Sequence, residues 1–158
     1  MNSALTSSPS EAISEKEISH TESTVSTANG EKAKNSSFFE EAQDNSSVGT
    51  HLIIDMWGAH KLRDSKYIEQ TIKNCVNAAG ATLLHYHTHK FNLNGGISGL
   101  AILAESHISI HTWPEMNYAA FDIFTCGSAK PSNVIAVLEK AFEPDKINFI
   151  THLRGSRD

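Results

Sequence analysis

Gly95 to Gly127 reads GGISGLAILAESHISIHTWPEMNYAAFDIFTCG, and its punctuation is that of a β-sheet. Ile97 to Glu105 and Ser106 to Thr112 are two extended segments that meet at the Glu105–Ser106 bond. Trp113 to Asn117 is a turn, because Pro114 cannot donate to a sheet ladder. Tyr118 to Thr125 is a further strand. Reactive side chains stand where a sheet would favour apolar ones: Ser98, Ser106, His107, Ser109, His111, Glu115 and Cys126 lie in or beside these strands. Alternate residues of a strand share a face. A strand regular from Ser106 therefore sets His107, Ser109 and His111 on one face and Ser106, Ile108 and Ile110 on the other. A bend at Ser106 frees that residue from the parity. Spacing alone shows a polar cluster, not a reaction.

Upstream of this stretch, His51 to Trp57 is a continuous apolar run that reads as a buried strand. Ser65 is placed to cap a helix running through Ala79. Its apolar residues Ile68, Ile72, Cys75, Val76 and Ala79 recur at helical spacing, and Gly80 supplies the stop. Ala81 to Phe91 reads as a second strand, followed by the Asn- and Gly-rich turn Asn92 to Gly96. Downstream, Pro131 opens a helix to about Phe142, with Val134, Ile135, Val137, Leu138 and Ala141 as its apolar face. Ile147 to Leu153 is the last strand. The order read is β-α-β-β-β-α-β. It predicts an α+β fold, a two-layer sandwich with both helices on one face of a mainly antiparallel sheet.

The chain has 158 residues, 39% of them hydrophobic, and a net charge of −5. That is enough for one domain and gives no basic footprint for nucleic acid. Residues 1–47 are rich in Ser, Glu, Thr, Asn and Lys, and bury too little apolar surface to offset their ordering entropy. They are expected to form a disordered N-terminal tail, with Phe38 and Phe39 its only aromatics, and residues 48–158 the domain. The N-terminus lacks a basic region followed by an apolar run, and no apolar stretch has the length of a membrane span. Two cysteines, Cys75 and Cys126, are too few for a disulfide scaffold, so a reduced, cytoplasmic setting is expected. Cys75, on the apolar face of the first helix, reads as core.

His85, His87 and His89 alternate, which puts three imidazoles on one face of a strand. No carboxylate or thiolate ligands accompany them at recognisable spacing, so they read as exposed or interface histidines and no metal is expected.

The blocks Gly-Ile-Ser98-Gly, Ala-Glu105-Ser106-His-Ile-Ser-Ile-His111-Thr-Trp-Pro-Glu115 and Asp-Ile-Phe-Thr-Cys126-Gly resemble the signature blocks of the prokaryotic S-adenosylmethionine decarboxylases. So do Gly-Thr-His51-Leu-Ile-Ile-Asp-Met-Trp-Gly and Gly-Ala-Thr-Leu-Leu-His85. The resemblance covers about residues 48–158; the tail departs from the family's compact pattern, which starts shortly before the His51 block. The resemblance implies a self-processing carboxy-lyase proenzyme. Ser106 attacks the Glu105 carbonyl, the amide becomes an ester, and β-elimination splits the chain into residues 1–105 and 106–158. Ser106 becomes a pyruvoyl group, which forms a Schiff base with the substrate amine and acts as electron sink without pyridoxal phosphate. By the same resemblance His111 takes the Ser106 α-proton, Ser98 supports the rearrangement, and Cys126 reprotonates the product carbon. Glu115 binds the ribose hydroxyls, Phe91 stacks on adenine, and Trp113 lines the same pocket. The substrate implied is S-adenosylmethionine and the product is the aminopropyl donor for spermidine synthesis.

Arginine or ornithine is the alternative substrate for the same pyruvoyl chemistry; Glu115 and Phe91 argue against it. A non-catalytic partner subunit is a different class, but Ser106, His111 and Cys126 are all present. The resemblance also implies a homodimer or higher assembly of cleaved protomers with shared active sites. A one-sided sheet of this size would otherwise leave one face uncovered.

Overall fold

The computed structural model describes residues 25–28 and 47–156. Its elements in chain order are β1 (Val25–Ala28), β2 (Gly49–Trp57), α1 (Ser65–Ala79), β3 (Leu83–Lys90), β4 (Ile97–Leu103), β5 (Ser106–Trp113), β6 (Tyr118–Cys126), a 3-10 turn (Pro131–Asn133), α2 (Val134–Phe142) and β7 (Lys146–Arg154). The strands form a single seven-stranded sheet in the order β1-β7-β2-β6-β5-β4-β3, and all neighbours are antiparallel.

The expected α+β sandwich is thus present, with two additions to its strand order. The extended segments that meet at Glu105–Ser106 are separate hairpin partners, β4 and β5, with Leu103 opposite Ser106. The second addition is β1, which lies within the stretch expected to be a disordered tail. Its four residues pair with Ile147–Ile150, adding a strand to the edge of β7 and satisfying backbone groups that an edge leaves open. The rest of that expected tail, residues 1–24 and 29–46 with Phe38 and Phe39, lies outside the described residues.

Helix α1 forms where Ile68, Thr71, Ile72, Cys75, Val76 and Ala79 bury one stripe. Its cap is Asp64 rather than the expected Ser65. Asp64 stands outside the helix in extended conformation, and its carboxylate accepts from the Lys66 and Tyr67 N–H groups. Gly80 ends the helix at φ 68°. Pro131 heads the 3-10 turn, and α2 proper starts at Val134. Both helices cover one face of the sheet.

Between sheet and helices lies the core. Leu52, Ile54 and Met56 come from β2, Ile108 and Ile110 from β5, and Phe121 and Ile123 from β6; they meet Ile68, Ile72, Leu138 and Phe142, all essentially solvent-free. Phe121 and Phe142 pack ring to ring at 5.8 Å. Cys75 is part of this core, and burial pushes its thiol pKa up to about 12. No helix among the described residues is long and apolar enough to cross a membrane.

Alternation leaves the second face uncovered. Across it run His51, Asp55 and Trp57 of β2, Leu100 and Ile102 of β4, His107, Ser109, His111 and Trp113 of β5, and Tyr118, Asp122 and Phe124 of β6. Trp57, Leu100, Ile102 and Trp113 are each more than a third exposed on it.

Candidate active site

The hairpin between β4 and β5 turns on two residues, Ala104 and Glu105. Two-residue hairpins favour turns with positive φ, normally supplied by Gly or Asn. Neither residue here is of that type. The positive φ falls instead on Ser106, at 145°. Side chains avoid that region at a cost of about 1–3 kcal/mol. Thr125, the cross-strand partner of Ser106, is buried with its hydroxyl unpartnered, a second local cost.

Hydrogen bonds hold the hairpin in this form. Ala104 N–H donates to Thr82 O at 3.0 Å, and Cys126 N–H donates to Glu105 O at 3.1 Å. Thr82 N–H donates to Glu105 Oε2 at 2.9 Å and holds that carboxyl below the usual carboxylate range. The carbonyl of the Glu105–Ser106 bond thus faces a fixed donor from the backbone of the residue expected to carry the catalytic thiol. Cys126 is a free, half-buried cysteine at this end of the sheet.

The bend at Ser106 does what the parity argument left open. Ser106 Oγ meets His107 Nδ1 at 3.2 Å, although regular alternation puts the two side chains on opposite faces. His111 lies farther along β5, where its Nδ1 is 2.8 Å from Ser98 Oγ on β4. The structure therefore brings together Glu105, Ser106 and Cys126, and separately Ser98 and His111. Five residue steps along β5, roughly 17 Å at strand spacing, separate Ser106 from His111 within one chain.

The expected substrate-binding residues gather at the far end of the same face. Trp57 and Tyr118 stack at 4.3 Å, and Trp113 lies 5.2 Å from Tyr118. Tyr118 donates a short hydrogen bond to Asp55, and desolvation with that bond pushes its pKa up to about 12. Glu115 accepts from Asn94 Nδ2 at 2.9 Å, which ties the turn after β5 to the turn after β3. Phe91 begins that second turn, half-exposed, with its ring edge 4.8 Å from His89.

A polar chain drawn from β7, β2, β6 and β5 crosses the middle of the face. Arg154 donates to His51 Nδ1 at 3.3 Å; an arginine only donates, so Nε2 carries the His51 proton. Nε2 is buried 3.6 Å from Asp122 Oδ1, and Ser109 Oγ donates to Asp122 Oδ2 at 3.4 Å. Its one sequence signal was Asp122, a carboxylate inside the apolar strand AAFDIF. His85, His87 and His89 line the edge strand β3, and no three metal-ligating side chains converge among the described residues.

Fold and site together define a two-layer α+β protein with a strained glutamyl–seryl hairpin beside a free cysteine. A family model described as S-adenosylmethionine decarboxylase matches residues 50–155, and the chain belongs to that family. Among its relatives, the S-adenosylmethionine decarboxylase proenzyme of Methanococcus vannielii is 46% identical over 114 residues, covering 70% of this chain and 93% of the relative. The protein of the same name from Thermomicrobium roseum is 41% identical over 110 residues, covering 69% and 95%. The crystal structure of the adenosylmethionine decarboxylase from Aquifex aeolicus superposes with a TM-score of 0.65 at 32% identity. It covers 72% of this chain and 95% of that one.

Proposed function

We propose that this chain is a proenzyme that splits itself between Glu105 and Ser106, converts Ser106 into a pyruvoyl group and decarboxylates S-adenosylmethionine. The observation that carries the reading is the hairpin: a serine at φ 145° follows a carbonyl already held by the Cys126 N–H. Attack of Ser106 Oγ on the Glu105 carbonyl carbon puts negative charge on the oxygen that this donor faces, which lowers the barrier. Relief of the dihedral strain favours the same step. Loss of the Ser106 α-proton then expels the Glu105 carboxylate, and water releases ammonia from what was the Ser106 nitrogen.

The residues present fit a pyruvoyl group at position 106, because its precursor serine, a polarised carbonyl and a free thiol meet there. Such a group supplies the electron sink that loss of carbon dioxide requires, without pyridoxal phosphate. Cys126 is assigned the proton delivered to the product carbon. Glu115 is assigned the ribose hydroxyls, with Trp113 and Phe91 the adenine; these residues favour an adenosyl substrate over arginine or ornithine. The product is the decarboxylated aminopropyl donor of spermidine synthesis. A working thiol at Cys126 suits the reducing cytoplasm.

One chain does not span this chemistry. Ser106 and Trp113 stand at opposite ends of β5, seven residue steps or roughly 23 Å apart. Two copies packed antiparallel through their open faces bring the Ser106 end of one onto the His111 and Trp113 end of the other. That arrangement also covers Trp57, Leu100, Ile102 and Trp113, an apolar set that water otherwise meets. The active unit is therefore a homodimer with two shared sites.

Intact-mass measurement of purified protein tests the reading. Two fragments are expected, the second beginning with pyruvoyl, and S106A leaves one uncut chain. A wild-type chain that stays whole under mild conditions overturns it.

A further inference from the structure

We propose that His107 is the base that starts chain splitting. It accepts the Ser106 hydroxyl proton during attack on Glu105 and hands it to the departing Ser106 nitrogen. This assignment rests on the reading of Glu105–Ser106 as the processing bond and adds the residue that the bond's own geometry calls for. A serine hydroxyl is a weak nucleophile unless a neighbouring group takes its proton. Among the described residues, Ser106 Oγ has one such neighbour, His107 Nδ1 at 3.2 Å.

The other basic groups at hand among the described residues are engaged elsewhere. His111 of the same chain stands five steps along β5 with Nδ1 held by Ser98 Oγ at 2.8 Å, and the His111 that a second copy brings to Ser106 in the proposed dimer is assigned the later α-proton. The Glu105 carboxylate is turned back to the Thr82 N–H at 2.9 Å. The contact with His107 also depends on the unusual backbone. A regular strand would send the Ser106 side chain to the helix-covered face with Ile108, away from His107. The φ of 145° brings the two neighbours together. His107 is half-buried, its ring 6.1 Å from Phe124, with Ile102 as its cross-strand partner, so the imidazole is held by packing on both sides.

The step balances. The Ser106 Oγ–H proton moves to His107 Nδ1 as the bond from Oγ to the Glu105 carbonyl carbon forms. The oxyanion rests against the Cys126 N–H. Collapse breaks the bond between that carbon and the Ser106 nitrogen. The nitrogen takes the proton back from His107 and leaves as a free amine, with Glu105 now joined to Ser106 Oγ as an ester. His111 is left with the later task, removal of the α-proton, so the two imidazoles serve two successive steps.

The test follows splitting of wild type, H107A and the nearer-sized H107Q by intact mass, with S106A as the folded, uncut reference in thermal melts. General-base removal is worth 10²–10⁴-fold, so both His107 variants are expected to slow splitting by about 100-fold or more. The arrested chain should still be an amide, and hydroxylamine, which cleaves esters, should leave it whole. Added imidazole should restore splitting of H107A. Wild-type-like splitting in either variant removes the role. So does an arrested chain that hydroxylamine cuts at residue 105, since the ester then forms without His107. Failure of imidazole to rescue H107A also counts against it. If wild type itself stays whole, the processing reading fails; if only the variants misbehave in these ways, the loss is confined to His107.

Discussion

Ser106 sits in a backbone region that a side chain occupies only under constraint, and nothing in the identity of a serine announces it. Alternation predicted His107 on the opposite face, and the structure joins the two because one dihedral departs from the strand. That pairing was illegible for this reason: residue types specify periods, not individual torsions. Cys75 was legible, because an apolar helical stripe accounts for it. The chain Arg154–His51–Asp122 was not, since its members come from three strands. It carries its own pH signature. Desolvation, reinforced by Arg154 and His107 against the opposing pull of Asp122, lowers the His51 pKa below its ordinary value. As pH falls through about 6.5, the unfolded chain binds a proton there that the folded chain refuses, so stability drops on acidification until the folded pKa is reached. Urea midpoints at pH 7.5 and 5.5, taken on the uncut S106A chain, should therefore differ less with H51Q than without it. An equal drop in both would remove His51 from the account.

Strands and helices were the most readable level. The extended runs, the stop at Gly80 and the turn at Pro114 follow from local chemistry, whereas β1 did not, because pairing with β7 rather than apolar content creates it. The capping residue moved from Ser65 to Asp64 because the capping side chain must reach back from outside the helix. The two layers depend on contacts such as Phe121 on Phe142, 5.8 Å apart and free of solvent. F121A removes a ring that both β6 and α2 need and should cost about 3–5 kcal/mol of unfolding free energy. Equilibrium denaturation of the uncut S106A chain with and without F121A measures it, and a loss under 1 kcal/mol would mean that the layers are held elsewhere.

The whole molecule poses a question of partnership, because the two groups of residues proposed for the active site stand at opposite ends of one open sheet face. If splitting joins Ser106 of one copy to His111 of another, two dead variants should repair each other. S106A keeps His111, and H111A keeps Ser106. Co-expressed, they should yield mixed dimers in which the H111A chain alone is split; expressed singly, each should stay unsplit. Splitting of H111A without its companion, or none in the mixture, would rule out the shared site. The motif blocks imply an assembly with shared sites, and the spacing along β5 adds which residues of the two copies would meet.

The strand order holds one more consequence. In the sequence β1-β7-β2-β6-β5-β4-β3, the strands before residue 105 are threaded among those after it: β2 lies between β7 and β6, and β5 rests on β4. If the chain is split as proposed, each piece keeps only one strand pair of its own, β3 with β4 before the cut and β5 with β6 after it. On the proposed cut the mature protein would be two interwoven peptides whose reassembly after denaturation is bimolecular and slows on dilution, while the uncut precursor refolds as a single thread. Maturation would exchange a fold that recovers at any dilution for one that recovers only when its two pieces meet.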